Sequence, residues 1–275
     1  MEASTENQAT SNNPAVKPLV ISAPFGNYVQ PKGATATLGT FTLHERKGRV
    51  VQVLRTVRYY RRLGAWVNKI GLRNPGIDWL VARSKAGRTD VQDKIVSIHG
   101  FDAGQWSELL AKTATIKPMA IELNMSCPNV GEINFPDGLF DEAAACGCSI
   151  IVKLPPVNYQ DLLHHALKAG LRDFHCFNTL PVPAGGLSGR PLKPIALQGI
   201  RDVRRLAGEA GVDDCELRII GGGGIRLRTD IDEYKAAGAD RFAIGTRCFN
   251  PLLLFSTSSL DFLVAHATQA ARSID

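Results

Sequence analysis

The sequence predicts an α/β fold, a closed (β/α)8 TIM barrel, on three observations. Eight short apolar runs rich in β-branched residues recur along the 275-residue chain. Stretches of helical period separate the later runs, and the length suits one barrel of roughly 250 residues. Near-continuous apolar strands alternating with helices make a parallel sheet covered on both faces, and eight repeats close it; a doubly wound open sheet is the other arrangement of the same elements.

Taken in chain order, residues 1 to about 17 are rich in Ser, Thr, Asn, Ala and Glu, the composition of a flexible tail, and one folded domain is expected over 18–275. The strand runs are LVISAPF (19–25), ATATLGTF (34–41), KIVSIHG (94–100), AIELNMS (120–126), IIVKLP (150–155), FHCFNT (174–179), LRIIGGG (217–223) and RFAIGTR (241–247). Helical period runs through WSELLAKTATI, GLFDEAAACG, YQDLLHHALKAG, PIALQGIRDVRRLAGEAG, TDIDEYKAAGA and LDFLVAHATQAARS. Four of these stop at Gly147, Gly170, Gly211 and Gly238, where a left-handed C-cap costs least.

Two places depart from the repeat. Only Gly26–Gly33, with Pro31 inside it, separates the first two runs, whereas a parallel crossover takes about a dozen residues or more, so the first βα unit is shortened and its helix missing. Thr42–Leu72 is too long for a loop. Its VVQVLRTVRYY alternates as a strand does, which predicts an antiparallel excursion lying over one barrel mouth.

Composition narrows the classes. Hydrophobic residues make up 44% and charged residues 21%, the balance of a globular chain with a substantial core. No run approaches the roughly 18 apolar residues of a membrane span, and the N-terminus has neither a basic nor an apolar signal region, so a cytoplasmic protein without membrane association is expected. The net charge of +6 comes largely from ERKGRVVQVLRTVRYYRR (45–62), read as a solvated basic face with anion binding as the alternative. No nucleic-acid motif accompanies it. The six cysteines lack disulfide or metal-ligand spacing; Cys146 and Cys148 are read as packing residues at a helix end, and no metal is expected.

Chemistry in such a barrel sits at the C-terminal ends of the strands. The fourth run ends in Asn124, Ser126, Cys127, Pro128 and Asn129, the fifth in Lys153, and the sixth in Asn178 and Thr179. A lysine inside IIVKLP would cost several kcal/mol to bury without an anionic partner, which argues for a functional charge. The asparagine amides offer donors and acceptors to an amide-rich ring, although one alone could cap a loop. Four glycines (221–224) and the Gly245-Thr246 turn leave the last two strands, the usual place for a barrel's phosphate site. His99 is an acid-base candidate or a hydrogen-bonded structural residue.

Seven blocks in the same order, NKIGLRNPGID (68–78), IELNMSCPNV (121–130), VKLPP (152–156), FNT (177–179), GGLSGRPLKPIAL (185–197), IIGGGGI (219–225) and IGTR (244–247), resemble the dihydroorotate dehydrogenase family of flavin mononucleotide (FMN) barrels. The resemblance implies FMN as cofactor and oxidation of dihydroorotate to orotate in pyrimidine biosynthesis. It implies Cys127 as the proton-abstracting base, as in the soluble class. Asn68, Asn124, Asn129, Asn178 and Thr179 would hold the pyrimidine, and Lys153 would sit beside the flavin. Ala23, Thr40, Gly189, Gly223, Gly224, Gly245 and Thr246 would contact the cofactor. A homodimer is left open.

Three segments differ from the family pattern. Gly39 stands where the family has a second lysine, S-A-P-F-G (22–26) replaces its N-A-S-G, and the loop after Cys127 is short. Lys69, Lys32 or an arginine of 46–62 would then have to supply the missing charge. A different enone or cyclic amide substrate, or flavin binding without dihydroorotate turnover, are the alternatives.

Overall fold

The computed structural model describes residues 15–125, 135–177 and 179–272. Cys127, Asn129 and Asn178, with most of the expected tail, lie outside the described residues. Eight parallel strands close the barrel: β1 (Leu19–Ile21), β2 (Ala34–Phe41), β5 (Ile95–Ile98), β6 (Ala120–Asn124), β7 (Ile150–Lys153), β8 (Asp173–Cys176), β11 (Arg218–Gly222) and β12 (Arg241–Ile244). Each falls on or within one residue of a predicted run. β1 pairs with β2 on one side and β12 on the other, so the ring has no free edge.

The helices outside the barrel are α2 (Ile77–Lys85), α3 (Ala103–Ala114), α4 (Leu139–Ala145), α5 (Gln160–Lys168), α6 (Leu192–Glu209), α7 (Arg228–Ala236) and α8 (Asp261–Arg272). Their apolar faces pack on the strands in one continuous core. No helix among the described residues is long and apolar enough to cross a membrane. Between β1 and β2 there is only a single 3-10 turn, Phe25–Asn27, so the first crossover lacks its helix as the sequence predicts.

The excursion is antiparallel, but its composition differs from expectation. VVQVLRTVRYY does not form one strand: Arg49–Thr56 is a helix, α1, and only Arg58–Tyr60 is a strand, β3. Val50, Val53, Leu54 and Val57 fit the helical spacing i, i+3, i+4, i+7, whereas Val51, Val53, Val57 and Tyr59 carry the alternation, and the left-handed Gly48 starts the helix. β3 then pairs with β4 (Ala65–Asn68), which pairs with β10 (Gly185–Gly189) and through it with β9 (Leu180–Val182). Val16 O accepts from Arg241 Nε and Lys17 N donates to Thr35 Oγ1, so both are already fastened to the barrel.

Inside the barrel the side chains stack in layers, because alternate residues of each strand point inward. Val20, Ile95, Ala120, Ile151, Ile220 and Ala243 form an apolar layer. Two residues further along the same strands, Ser97, Glu122, Lys153 and Gly222 replace it, and His175 joins them from β8. Oil gives way to charge within one layer.

β2 carries a register irregularity between Leu38 and Phe41. Gly39 there has φ +101°, and a Cβ would lie 2.5 Å from Ser97 O and 2.8 Å from Phe41 N, both backbone atoms. The backbone therefore excludes any side chain, including the lysine of the family pattern. Gly39→Ala is expected to cost about 2–4 kcal/mol from the left-handed φ and the overlap together, read as a lower urea midpoint. Gly39→Lys should be no better tolerated; a neutral effect of either substitution contradicts this geometry.

Candidate active site

A cavity of about 500 Å³ opens at the C-terminal ends of the strands. Lys153 reaches it from β7, and its charge is held from below. Its Nζ lies 3.7 Å from Glu122 Oε1, while Glu122 Oε2 accepts a 2.7 Å hydrogen bond from His175 Nδ1. All three side chains are buried. Burial alone would raise the Glu122 carboxyl, but the Lys153 ammonium and then His175 pull it down to about 2. Burial, and then the Lys153 charge, hold the His175 imidazole below its ordinary value against the opposing pull of Glu122. The layer thus holds a carboxylate, an ammonium and a neutral imidazole.

A second strand of polar contacts leads away from it. Asn124 Nδ2 donates to Thr40 Oγ1 at 2.8 Å, and Thr40 Oγ1 meets Ser97 Oγ at 3.0 Å. The Asn124 carbonyl accepts from His99 Nδ1 at 2.8 Å. His99 is packed edge-on against Phe101 and Trp106, and burial lowers its pKa, so it is a neutral structural residue that anchors the strand end.

At the far wall β11 ends in Gly222, Gly223 and Gly224. Gly224 has φ +80°, and a Cβ there would meet Gly189 O at 2.8 Å, so the end of β10 docks directly on this glycine turn. Tyr234 OH donates to Gly223 O at 2.6 Å, and Asp230 Oδ2 accepts from the Arg226 and Leu227 amides before α7 begins. Lys193 pairs with Asp230 from α6. The turn is therefore rigid. Gly245 also lines the cavity, and a Cβ there would meet nothing nearer than 3.8 Å, so packing does not require the glycine; a side chain would only take up cavity space. Two glycine turns beside a cavity of this size fit the phosphate arm of FMN, and Lys153 fits the charged edge of its ring.

The roof comes from the excursion. Tyr59 packs on Trp66, Trp66 stacks on Phe249 at 4.1 Å, and Phe249 meets Phe25 edge-on, so an aromatic chain ties β3 and β4 to the ends of β12 and β1. Val50, Val53 and Leu54 of α1 line the cavity together with Val57, which follows the helix.

The described candidates converge. Ala23, Thr40, Asn68, Asn124, Lys153 and Thr179 line this cavity together with Gly189, Gly223, Gly224, Gly245 and Thr246. Lys32 and Lys69 do not, so neither supplies the charge missing at position 39; Arg49, from the basic segment, does line it. Sequence reasoning missed Glu122, His175, Arg73 and the aromatic chain. Alternation in IELNMS puts Glu122 on the same face as Asn124, a signal that could have found the partner of Lys153. The aromatic chain joins three distant segments, around Phe25, Tyr59–Trp66 and Phe249, and leaves no local signal.

A TIM barrel whose rim cavity gathers a lysine, amides and two glycine turns defines the class: a barrel enzyme acting on a small molecule. A sequence model described as Dihydroorotate dehydrogenase matches residues 27–179 and 171–257. The chain belongs to the dihydroorotate dehydrogenase family and is an oxidoreductase of the kind that acts on a CH–CH bond. It is 32% identical over 247 residues to the dihydroorotate dehydrogenase B (NAD(+)) catalytic subunit of Petrotoga mobilis, covering 80% of this chain and 77% of that one. To the same subunit of Trichlorobacter lovleyi it is 33% identical over 258 residues, covering 82% and 80%. The crystal structure of Eimeria tenella DHODH in complex with ferulenol shares the fold, with a TM-score of 0.64 at 15% identity over 94% of this chain and 81% of that one.

Removing the anion beneath Lys153 leaves a buried charge unpaired. Glu122→Ala is expected to destabilise the protein by about 3–5 kcal/mol in urea unfolding. The pH dependence has a definite sign, because both depressed groups bind protons more readily in the unfolded chain. Stability is expected to fall as pH drops below the ordinary histidine value of 6.5, and again from 4.5 towards 2 as Glu122 protonates. His175→Gln should flatten part of the first decline, the rest belonging to the buried His99, which is also held below its ordinary value; an unchanged profile contradicts a neutral buried imidazole at His175.

Proposed function

We propose that the protein binds FMN in the rim cavity and oxidises dihydroorotate to orotate. The observation that carries this reading is the convergence of the candidate residues, drawn from segments between Ala23 and Thr246, on one cavity. FMN when bound supplies the hydride acceptor. Gly223, Gly224, Gly245 and Thr246 hold its phosphate with backbone N–H groups, and Lys153 sets a fixed positive charge at the pyrimidine edge of the ring, where negative charge gathers.

On the substrate side, Asn68, Asn124, Asn129, Asn178 and Thr179 orient the cyclic amide. Cys127, as thiolate, removes the C5 proton while the C6 hydrogen leaves as hydride, and the C5–C6 double bond forms from the two electrons of the broken C5–H bond. The relatives carry NAD(+) in their names, which makes it the first electron acceptor to try. A second reading, the same flavin chemistry on a different enone or cyclic amide, is favoured by one observation: four apolar side chains of the excursion, Val50, Val53, Leu54 and Val57, line the cavity.

The purified protein is expected to be yellow and to bleach anaerobically on adding dihydroorotate. Cys127→Ala should keep its flavin and slow that bleaching at least about a hundredfold, the usual scale for a general base. A colourless protein with no thermal shift on adding FMN overturns the cofactor assignment; equal rates in variant and parent overturn the base.

A further inference from the structure

The helix layer around the barrel has a gap where the first βα helix is missing, and a second cavity lies there. The connection from β1 to β2 lies flat on β2: a Cβ on Gly26 would stand 2.3 Å from Thr37 O, and the Asn27 amide bonds both Gly39 O and Gly39 N. A connection this close takes little of the room that a helix would take. Between it and α2 is a groove of about 720 Å³, floored by Leu38 and Phe41 of β2, with Tyr28 and Gln30 from the connection and Trp79 and Arg83 from α2. Lys153, Asn124 and the glycine turns do not line it, while Tyr28, Gly39 and Arg49 line both cavities.

The groove is cationic. Arg46, Lys47, Arg49, Arg83, Arg88 and Lys94 line it against two carboxylates, Glu45 and Asp90. Glu45 pairs with Lys47, Asp93 with Lys94, and Asp90 Oδ1 accepts from the Gln92 amide. Arg46, Arg49, Arg83 and Arg88 pair with no carboxylate among the described residues. Arg46 and Arg83 each engage one nitrogen within the protein, Nε to Gly71 O and Nε to Thr89 Oγ1. Four like charges around one groove repel one another, and an anion among them turns that repulsion into pairing. Aromatic rings stand beside the charges: the Arg49 guanidinium lies 5.6 Å over Tyr28 and that of Arg83 5.0 Å over Trp79. Trp79 stacks on Phe41 and still has 46% of its surface exposed, so an aromatic surface is open to a ligand. The volume decides the class of anion. An inorganic ion leaves most of the groove empty, whereas small-molecule sites run from about 300 to 1,000 Å³.

We propose that this groove is a second ligand site and that its ligand is a nucleotide, whose base packs on Trp79 and Tyr28 while its phosphates meet Arg83 and Arg88. A base has a flat face for the aromatic walls, and the planar fork of arginine matches two phosphate oxygens at once. Arg46 and Arg49 add charge from the excursion. The site lies on the flank of the barrel, in the space of the absent helix, and does not depend on the function proposed above. FMN is itself a nucleotide, and the test separates binding in the groove from binding in the rim cavity.

The full-length protein, with and without excess FMN, would be titrated calorimetrically with ADP, UDP, their nucleosides and pyrophosphate, with tryptophan fluorescence followed alongside. At least one of the two nucleotides is expected to bind more tightly than its nucleoside and than pyrophosphate, and to quench fluorescence that is missing in Trp79→Leu. The double variant Arg83→Gln, Arg88→Gln should weaken that nucleotide by at least about ten- to 150-fold, the span of one charged hydrogen bond. Trp79→Leu should weaken it by about five- to 150-fold, the span of base stacking, and leave pyrophosphate unchanged. Arg73→Gln, which alters the rim cavity and not the groove, should have no effect, and neither should excess FMN. Arg88→Glu alone, at an exposed position, replaces the double variant if that one does not fold. Folded parent that binds neither nucleotide overturns the proposal. Pyrophosphate binding as tightly as the nucleotides, with no effect of Trp79→Leu, leaves only an anion patch and also overturns it. Nucleotide binding that excess FMN or Arg73→Gln abolishes, and that the Arg83 and Arg88 substitutions leave intact, belongs to the rim cavity and overturns it as well.

Discussion

Lys153 and Glu122 sit opposite in charge on neighbouring strands of a closed barrel, out of reach of water, and the site is organised around them. Either charge alone would cost several kcal/mol to bury, so each makes the other tolerable, and His175 meets the carboxylate oxygen that Lys153 leaves. The register that pairs β6 with β7 puts Asn124 beside Lys153 and Glu122 beside Ile151. A slip of one residue would turn the charges into the helix-packed core and the leucines and valines into the cavity, which fixes the strands where they are.

From that layer upward the architecture divides labour. The barrel supplies a rigid polar floor and the glycine turns, while the excursion supplies the roof and the loop from Asn68 to Arg73. The two parts meet where Gly224 lies against Gly189 and where Trp66 stacks on Phe249. Asn68 therefore works from the roof, and Lys153 and Asn124 from the floor. On the proposed function, a ligand would lie between them.

Much of this was legible in the sequence. The eight strands were, because a strand buried on both faces must be apolar along its whole length, and the missing first helix was, because too few residues separate β1 from β2. The cavity residues were legible where a polar or glycine residue interrupts an apolar strand at its end. Three kinds of feature were not. α1 hid because its segment carries two periods at once, the helical one in Val50, Val53, Leu54 and Val57 and the alternating one in Val51, Val53, Val57 and Tyr59. Glu122 hid because a carboxylate inside a strand reads as a solvent-facing residue until its partner across the sheet is known. Arg73 hid in a loop, where sequence pattern says nothing about which way a side chain turns. Gly39 was visible as an anomaly, but only its φ and the Ser97 carbonyl give the reason a side chain is excluded.

On the proposed function, Lys153 presents to the flavin a fixed charge that Glu122 partly neutralises. The most direct measurement is the midpoint potential of the bound flavin in Glu122→Gln against the parent. Removing the negative charge while keeping the side chain's shape leaves the ammonium less compensated, which favours the more negative, reduced flavin. A potential more positive in the variant is the predicted result. An unchanged or more negative potential in a folded, flavin-loaded variant would contradict it, because the buried pair would then not act on the cofactor.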